Sequence, residues 1–238
     1  YFAGQLDRSR ELFMGILGHD LRTPLHVIQT SAEVLLRAHV NAEQQRRLGT
    51  YVRDGANQIT LMLADLLDTV RTQLGGSLPL QLRELDISDV CKTVIEQFRV
   101  LHPQRELQCN AAAGLCGRWD EMRVSQLLTN LLRNAIQHGA ADSAITLTAE
   151  LQNESVVISV HNRGEPIPPE LMVNIFEPLR RGNAQQGMDN QSMDSFSMGL
   201  GLYIASTIAQ AHQGSLKVES SRELGTTFTS CLPLAPAA

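Results

Sequence analysis

His19 lies in Gly18-His19-Asp20-Leu21-Arg22-Thr23-Pro24-Leu25, a polar stretch set into an otherwise amphipathic helical pattern. A neutral imidazole is a competent nucleophile near neutral pH, and an adjacent carboxylate, here Asp20, can orient it or take its proton. At about 100° per residue, the apolar stripe Phe13, Leu17, Leu21, Pro24, Ile28, Ser31 and Leu35 fills an arc of roughly 80°. His19 falls nearly opposite that stripe, where it meets solvent. Arg22, Thr23 and His26 share its side, and Asp20 lies nearer the flank. Pro24 lacks a backbone N–H and crowds the carbonyl four residues back, which predicts a kinked or loosened helix where His19 sits. Taken singly, such a histidine is most often an ordinary surface residue.

A second set of residues has the spacing to hold a charged ligand. Asn130 and Asn134 are four apart, so both amides project from one helical face. A side-chain carbonyl together with phosphates and waters suits a hard cation such as magnesium. The spacing alone also describes two polar positions on a solvated helix. Gly199 and Gly201 open a helix after a long polar stretch, and glycines there let backbone N–H groups approach a phosphate at the positive end of the helix dipole. Alone, that pair is as often a simple turn. Arg180 and Arg181 are a guanidinium pair or a solvated surface pair.

These residues need elements to position them. The first stripe and a second one (Leu48, Val52, Ile59, Met62, Leu66 and Val70) predict two helices joined by a short turn near Asn41-Ala42-Glu43. Two such helices cannot bury their stripes alone, whereas a dimer makes a four-helix bundle. Gly75-Gly76-Ser77 with Pro79 ends the second helix. The expected organisation is a dimerising helical domain over 1–74, a linker over 75–84 and a mixed α/β domain over 85–238. In the last, Ser88 to Phe98, Met122 to Gln137 and Leu200 to His212 read as helices, the final one closed by Gly214. Ile145 to Leu151, Val156 to Val160, Ser215 to Glu219 and Thr226 to Leu232 read as strands. The interleaving predicts a sheet covered by helices on one face. The Gly-, Asn-, Gln- and Ser-rich stretch from Gly182 to Met198 reads as a lid or a disordered segment.

Composition sets the bounds. With 238 residues, 43% hydrophobic and 19% charged, the chain is an ordinary globular protein of one or two domains. A net charge of -5 argues against a nucleic-acid surface. No apolar run approaches the ~20 residues needed to span a bilayer, so no direct membrane contact is expected. The chain begins at Tyr1 without a secretory signal and reads as a piece of a longer protein. The four cysteines have no CxxC spacing and read as isolated thiols of a reducing, cytoplasmic compartment.

His19-Asp20-Leu21-Arg22-Thr23-Pro24-Leu25 resembles the phosphoacceptor box of two-component sensor histidine kinases. The resemblance implies that His19 takes the γ-phosphoryl of ATP with Asp20 as base or orienting carboxylate. It also implies that Thr23 positions water in a phosphatase activity toward the partner. Asn130-Leu131-Leu132-Arg133-Asn134 resembles the N box of that family, which implies Asn134 as magnesium ligand and Asn130 as its neighbour at the phosphates; Gln137 stands where lysine is common. Gly199-Leu200-Gly201 resembles the second glycine box, with the preceding stretch as ATP lid. Phe176-Glu177-Pro178-Leu179-Arg180-Arg181 resembles the F box, which implies that Arg181 contacts the γ-phosphate. Gly225-Thr226-Thr227-Phe228 resembles the terminal glycine box. Asn162-Arg163-Gly164-Glu165-Pro166 is similar to the first glycine box, with Asn162 and Pro166 replacing the usual aspartate and glycine, as in some phytochrome-type sensors. Asparagine can accept from adenine N6 and donate to N1.

The resemblance implies a fold of an α-helical hairpin, paired into a dimeric four-helix bundle, followed by an α/β two-layer sandwich of the Bergerat ATP-binding type. It implies a Mg-ATP-dependent protein-histidine kinase that passes phosphate to an aspartate of a response-regulator receiver domain. Two alternatives stand beside it. One is a pseudokinase or dimeric signalling scaffold, suggested by Gln137, Asn162 and Pro166. The other is a related ATPase of the gyrase and chaperone superfamily, or a serine kinase.

Overall fold

The structure is a computed structural model and describes residues 21–37, 40–178 and 199–234. The chain divides into two compact units, the boundary falling between Val70 and Arg71. In the first unit, helix α1 covers 21–37 and helix α2 runs over Ala42–Gln73. Asn41 and Gln44 cap the start of α2 reciprocally: Gln44 N–H donates to Asn41 Oδ1 at 2.8 Å, and Asn41 N–H donates to Gln44 Oε1 at 3.0 Å. That is the side-chain exchange of a capping box, and it satisfies two N–H groups at the start of the helix. At its other end, Gly76 N–H reaches the Arg71 carbonyl and Gly75 N–H the Thr72 carbonyl, the paired bonds of a Schellman stop.

Along the hairpin the expected stripes face inward only in part. Pro24 and Ser31 of α1 and Gly55 and Met62 of α2 are buried, and Leu21, Ile28, Leu35, Leu48, Val52, Ile59 and Leu66 are half-buried. A Cβ added at Gly55 would stand 2.9 Å from Ile28 Cγ1, so the glycine is what lets the two helices approach at that level. Leu36 is 85% exposed and Leu67 68% exposed, beside Leu25, Leu61 and Leu63. The two helices therefore leave a large apolar area uncovered.

The second unit holds two sheets. Strands β1 (Arg83–Asp86) and β3 (Cys116–Trp119) form an antiparallel ribbon. The larger sheet has the order β2-β4-β5-β7-β6, from β2 (Leu107–Ala111), β4 (Ile145–Gln152), β5 (Ser155–Asn162), β6 (Ser215–Ser221) and β7 (Gly225–Pro233). Only the β2–β4 pair is parallel. Helices α3 (Ile87–Leu101), α4 (Glu121–His138) and α6 (Gly201–Ala211) pack on this sheet, and a one-turn α5 (Pro169–Met172) follows β5. Alternation decides the faces: Ile145, Leu147 and Ala149 of β4 and Val156, Ile158 and Val160 of β5 are buried under the helices. On the opposite face, Thr148 and Ser159 exchange a hydroxyl bond of 2.6 Å. The result is the two-layer sandwich expected of the pattern. The core is closed by Leu127, Leu128, Leu131 and Leu132 of α4 and Ile204 and Ile208 of α6.

One feature departs from the expectations. Gly214 does not supply the left-handed residue that closes α6; Gln213 does, at φ 60°, and Gly214 instead lies where a Cβ would meet the Cys231 carbonyl at 2.1 Å. After α2, Leu78 is buried and Gln81 N–H donates to Asp120 Oδ2 at 2.7 Å.

Asp120 also caps α4 through Arg123 N–H, and its own N–H donates to Nε2 of the fully buried His212 at 3.1 Å. Nε2 is therefore the unprotonated nitrogen, and Nδ1–H donates to the Ile208 carbonyl at 2.9 Å. Desolvation holds this imidazole below its ordinary pKa. The folded state thus binds fewer protons than the unfolded one once pH falls through the ordinary imidazole value of about 6.5, and stability decreases from there down to the folded pKa. Thermal melts from pH 8 to 5 are expected to show a slope of at most about 1.4 kcal/mol per pH unit from this group. His212→Gln is expected to flatten it while lowering stability at pH 8.

Candidate functional site

Helix α4 carries the paired asparagines. Asn130 is buried among the core leucines, and its amide nitrogen, also buried, has no hydrogen-bond partner among the described residues. Asn134, one turn on, is half-buried. The side chain of Asn130 faces the start of α6: a Cβ at Gly201 would stand 3.5 Å from Asn130 Oδ1 and 3.6 Å from its Cγ. Gly199, just before that helix, has φ +66°, a conformation that L side chains rarely adopt. Leu200 occupies the N-cap and offers no side-chain acceptor, so among the described residues no side chain caps the first N–H groups of α6. A buried amide donor beside an uncapped helix N-terminus makes a cradle of donors. The chemistry of that set fits a phosphate anion.

At the far end of α4 the chain meets the Asn162 segment. Asn162 ends β5, is 2% exposed, and pairs with Thr226 of β7. Its Nδ2 donates to the Arg163 carbonyl at 3.4 Å, a long bond. Ala140 N–H donates to the same carbonyl at 2.6 Å, and Gly139 and Gly164 form a β-bridge. The approach is so close that a Cβ at Gly164 would lie 2.4 Å from the His138 carbonyl. Asn162 and Gly164 are therefore brought to the same helix that carries Asn130 and Asn134.

From the other side, Thr226 bonds Ser220 Oγ at 2.7 Å, and that oxygen accepts Ile167 N–H at 2.9 Å. The segment after Pro166 is tied down in this way. Phe176 packs edge-on to Phe228, with ring centroids 6.4 Å apart. Residues of the terminal glycine box thus pack against their neighbours. Gly225 is needed twice over: it has φ +78°, and a Cβ there would stand 2.5 Å from the Asn162 carbonyl. Gly225→Ala is expected to cost on the order of 3 kcal/mol, from left-handed strain plus backbone crowding. It should also weaken nucleotide binding by displacing Asn162. Denaturant unfolding and a nucleotide titration of the folded fraction check both effects.

Thr23 is half-buried on α1, with Arg22 and His26 exposed. His19, Asp20, Arg181 and the Gly182 to Met198 stretch lie outside the described residues, as does the helix around His19 that Pro24 was expected to loosen. Sequence reasoning missed Arg105, whose guanidinium donates to the Ala140 and Gly139 carbonyls, and the Ser220 bridge. Neither has a signal in local spacing, because each joins segments distant in the chain.

A helical hairpin followed by an α/β sandwich with a donor cradle between α4 and α6 defines an ATPase-type signalling module. Family comparison gives the same division. The His Kinase A (phospho-acceptor) domain family matches residues 9–75, and the histidine kinase-, DNA gyrase B-, and HSP90-like ATPase family matches residues 119–236. The chain belongs to the two-component sensor histidine kinases, of which it carries the catalytic core. A bacteriophytochrome of Pseudomonas aeruginosa is 29% identical over 232 residues, covering 98% of this chain and 30% of the relative. The sensor-like histidine kinase SenX3 of Mycobacterium tuberculosis is 28% identical over 231 residues, covering 96% and 55%. Among solved structures, full-length ShkA in complex with AMPPNP has a TM-score of 0.64 at 27% identity, covering 96% of this chain and 46% of that one. The chain thus spans between about a third and about half of these proteins' lengths. Among the described residues, no helix is long and apolar enough to cross a membrane.

Proposed function

We propose that this chain autophosphorylates His19 from Mg-ATP and passes the phosphoryl group to an aspartate of a response-regulator receiver domain. The observation that carries this reading is the donor cradle at Asn130 and the N-terminus of α6, joined in one chain to a phospho-acceptor helix. The bond that forms runs from a ring nitrogen of His19 to the γ-phosphorus of ATP. The bond that breaks is the one from that phosphorus to the bridging oxygen, and ADP leaves. Asp20 takes or orients the imidazole proton.

Asn130, Gly199, Gly201 and Arg181 hold the phosphates, and Asn162 and Gly164 hold the base. Magnesium neutralises phosphate charge when bound, and Asn134 is the side chain that would hold it. One amide oxygen suffices there, because this ion is held mainly by phosphates and water. Thr23, on α1, serves a phosphatase activity. The exposed leucines of α1 and α2 favour a homodimer closing a four-helix bundle. The working units are 1–74 for phosphotransfer, 75–84 as linker and 85–238 for ATP binding, in the cytoplasm where ATP is available.

Incubation with Mg-ATP labelled at the γ position tests this reading. Label on the chain that is lost in acid and survives alkali is expected. Steady hydrolysis with no protein-bound phosphate would transfer the reading to an ATPase, and a folded dimer that neither binds nor hydrolyses ATP would make it a scaffold.

A further inference from the structure

Arg105 lies on the loop between α3 and β2, remote in sequence from every residue assigned to nucleotide. Its Nη1 donates to the Ala140 carbonyl at 2.9 Å and its Nη2 to the Gly139 carbonyl at 3.4 Å. Gly139 is the C-cap of α4 and Ala140 follows it, so the guanidinium lies near the negative end of the helix dipole, where a cation is favoured. The turn that Arg105 grips is the one that holds the Asn162 segment, through the Ala140-to-Arg163 bond of 2.6 Å and the Gly139–Gly164 bridge. Gly139 sits between the two: a Cβ there would be 3.1 Å from Arg105 Nη2 and 3.3 Å from Asn162 Cβ. Ser143 Oγ reinforces the turn by donating to the Ala140 carbonyl at 3.0 Å.

We propose that Arg105 is a positioning residue for the nucleotide base, locking the turn that follows α4 against Asn162 and Gly164 so that the asparagine amide is presented in one orientation. The proposal rests on the nucleotide reading of this site given above. A guanidinium suits the task because its rigid planar fork fixes the geometry of two acceptors at once, whereas a lysine ammonium is a point charge on a flexible stem. The third donor, Nε, is buried with no partner among the described residues. A contact with an unmatched buried donor is poorly optimised for stability, and what it does supply is geometry.

The test uses the whole 238-residue chain with Arg105→Met and Arg105→Lys, titrated with Mg-ATP, ADP and adenosine, the last by competition against ADP. In Arg105→Met all three dissociation constants are expected to rise by one common factor of at least about ten. The label yield on His19 at saturating Mg-ATP should stay unchanged. Arg105→Lys is expected to be intermediate for all three ligands. A folded methionine variant with wild-type affinities overturns the proposal and makes Arg105 a purely structural residue. A loss confined to ATP, with adenosine unaffected, also overturns it, since the defect then lies at the phosphates. If Arg105→Met fails to fold, the lysine variant decides: a common rise supports the proposal and wild-type affinities overturn it. Failure of the wild-type chain to bind any of the three ligands would instead overturn the nucleotide reading, and this inference with it.

Discussion

Replacing His19 by glutamine is expected to reduce the acid-labile, alkali-stable label from γ-labelled Mg-ATP to background while leaving nucleotide affinity unchanged. Glutamine keeps polarity and length but has no ring nitrogen able to form a P–N bond. The lesion separates chemistry from binding because His19 lies in the phospho-acceptor match over 9–75, whereas the nucleotide residues lie in the ATPase match over 119–236. Label that persisted in His19→Gln would point to another histidine, and the structure orders the suspects. His212 is excluded, being fully buried with both ring nitrogens occupied. His161 has Nδ1 engaged by Thr227 at 3.0 Å and is half-buried. His26, exposed on α1 two turns beyond His19, would be tested next.

Asn130→Leu is expected to move binding and stability in opposite directions. Its amide nitrogen is buried without a hydrogen-bond partner among the described residues, a state that costs roughly 1–3 kcal/mol. Leucine of similar size removes that donor from a helix on which Leu127, Leu128 and Leu131 are already fully buried. The nucleotide-free melting temperature should therefore hold or rise, by about 2–4 °C per kcal/mol recovered. Mg-ATP affinity should fall by at least about tenfold, the worth of one charge-assisted hydrogen bond. Asn130→Asp sharpens the test. If the amide donates to phosphate, the carboxylate is worse than leucine; if the side-chain oxygen is what matters, aspartate retains affinity. A lowered melting temperature with unchanged affinity would make Asn130 a structural residue and shift the phosphate contact to α6 alone.

Much of this architecture was legible along the chain. The polar turn around Asn41-Ala42-Glu43 and the paired glycines at the foot of α2 are local signals, and the helix begins and ends where they stand. Helices α3, α4 and α6 appear within a few residues of where their apolar periods placed them. The strands β4, β5, β6 and β7 follow from alternation, though each runs one to three residues longer than its apolar run, because ladder pairing carries polar ends such as Asn162 and Ser221 into the sheet. Strands β1, β2 and β3 had no such signal. Arg83–Asp86 is charged throughout apart from Leu85, and it is a strand because Cys116–Trp119 lies beside it.

The candidate site divides in the same way. Which residue types could meet a phosphate was readable from Asn130, Asn134, Gly199 and Gly201, since i, i+4 spacing and glycines at a helix start are properties of a few consecutive residues. That Asn130 faces Gly201 with an unpaired amide was not readable, because it depends on which of many polar groups the packing of α4 against α6 leaves unmatched. The grip of Arg105 on Ala140 spans 35 residues, and the bond from Asp120 to His212 spans 92. By itself the sequence determined the helical hairpin, the sandwich and the chemical identity of the groups. Only the tertiary structure decided which of them share a site and which are left with a free donor, since hydrogen-bond satisfaction is settled among partners that only the folded chain brings within 3 Å or so of one another.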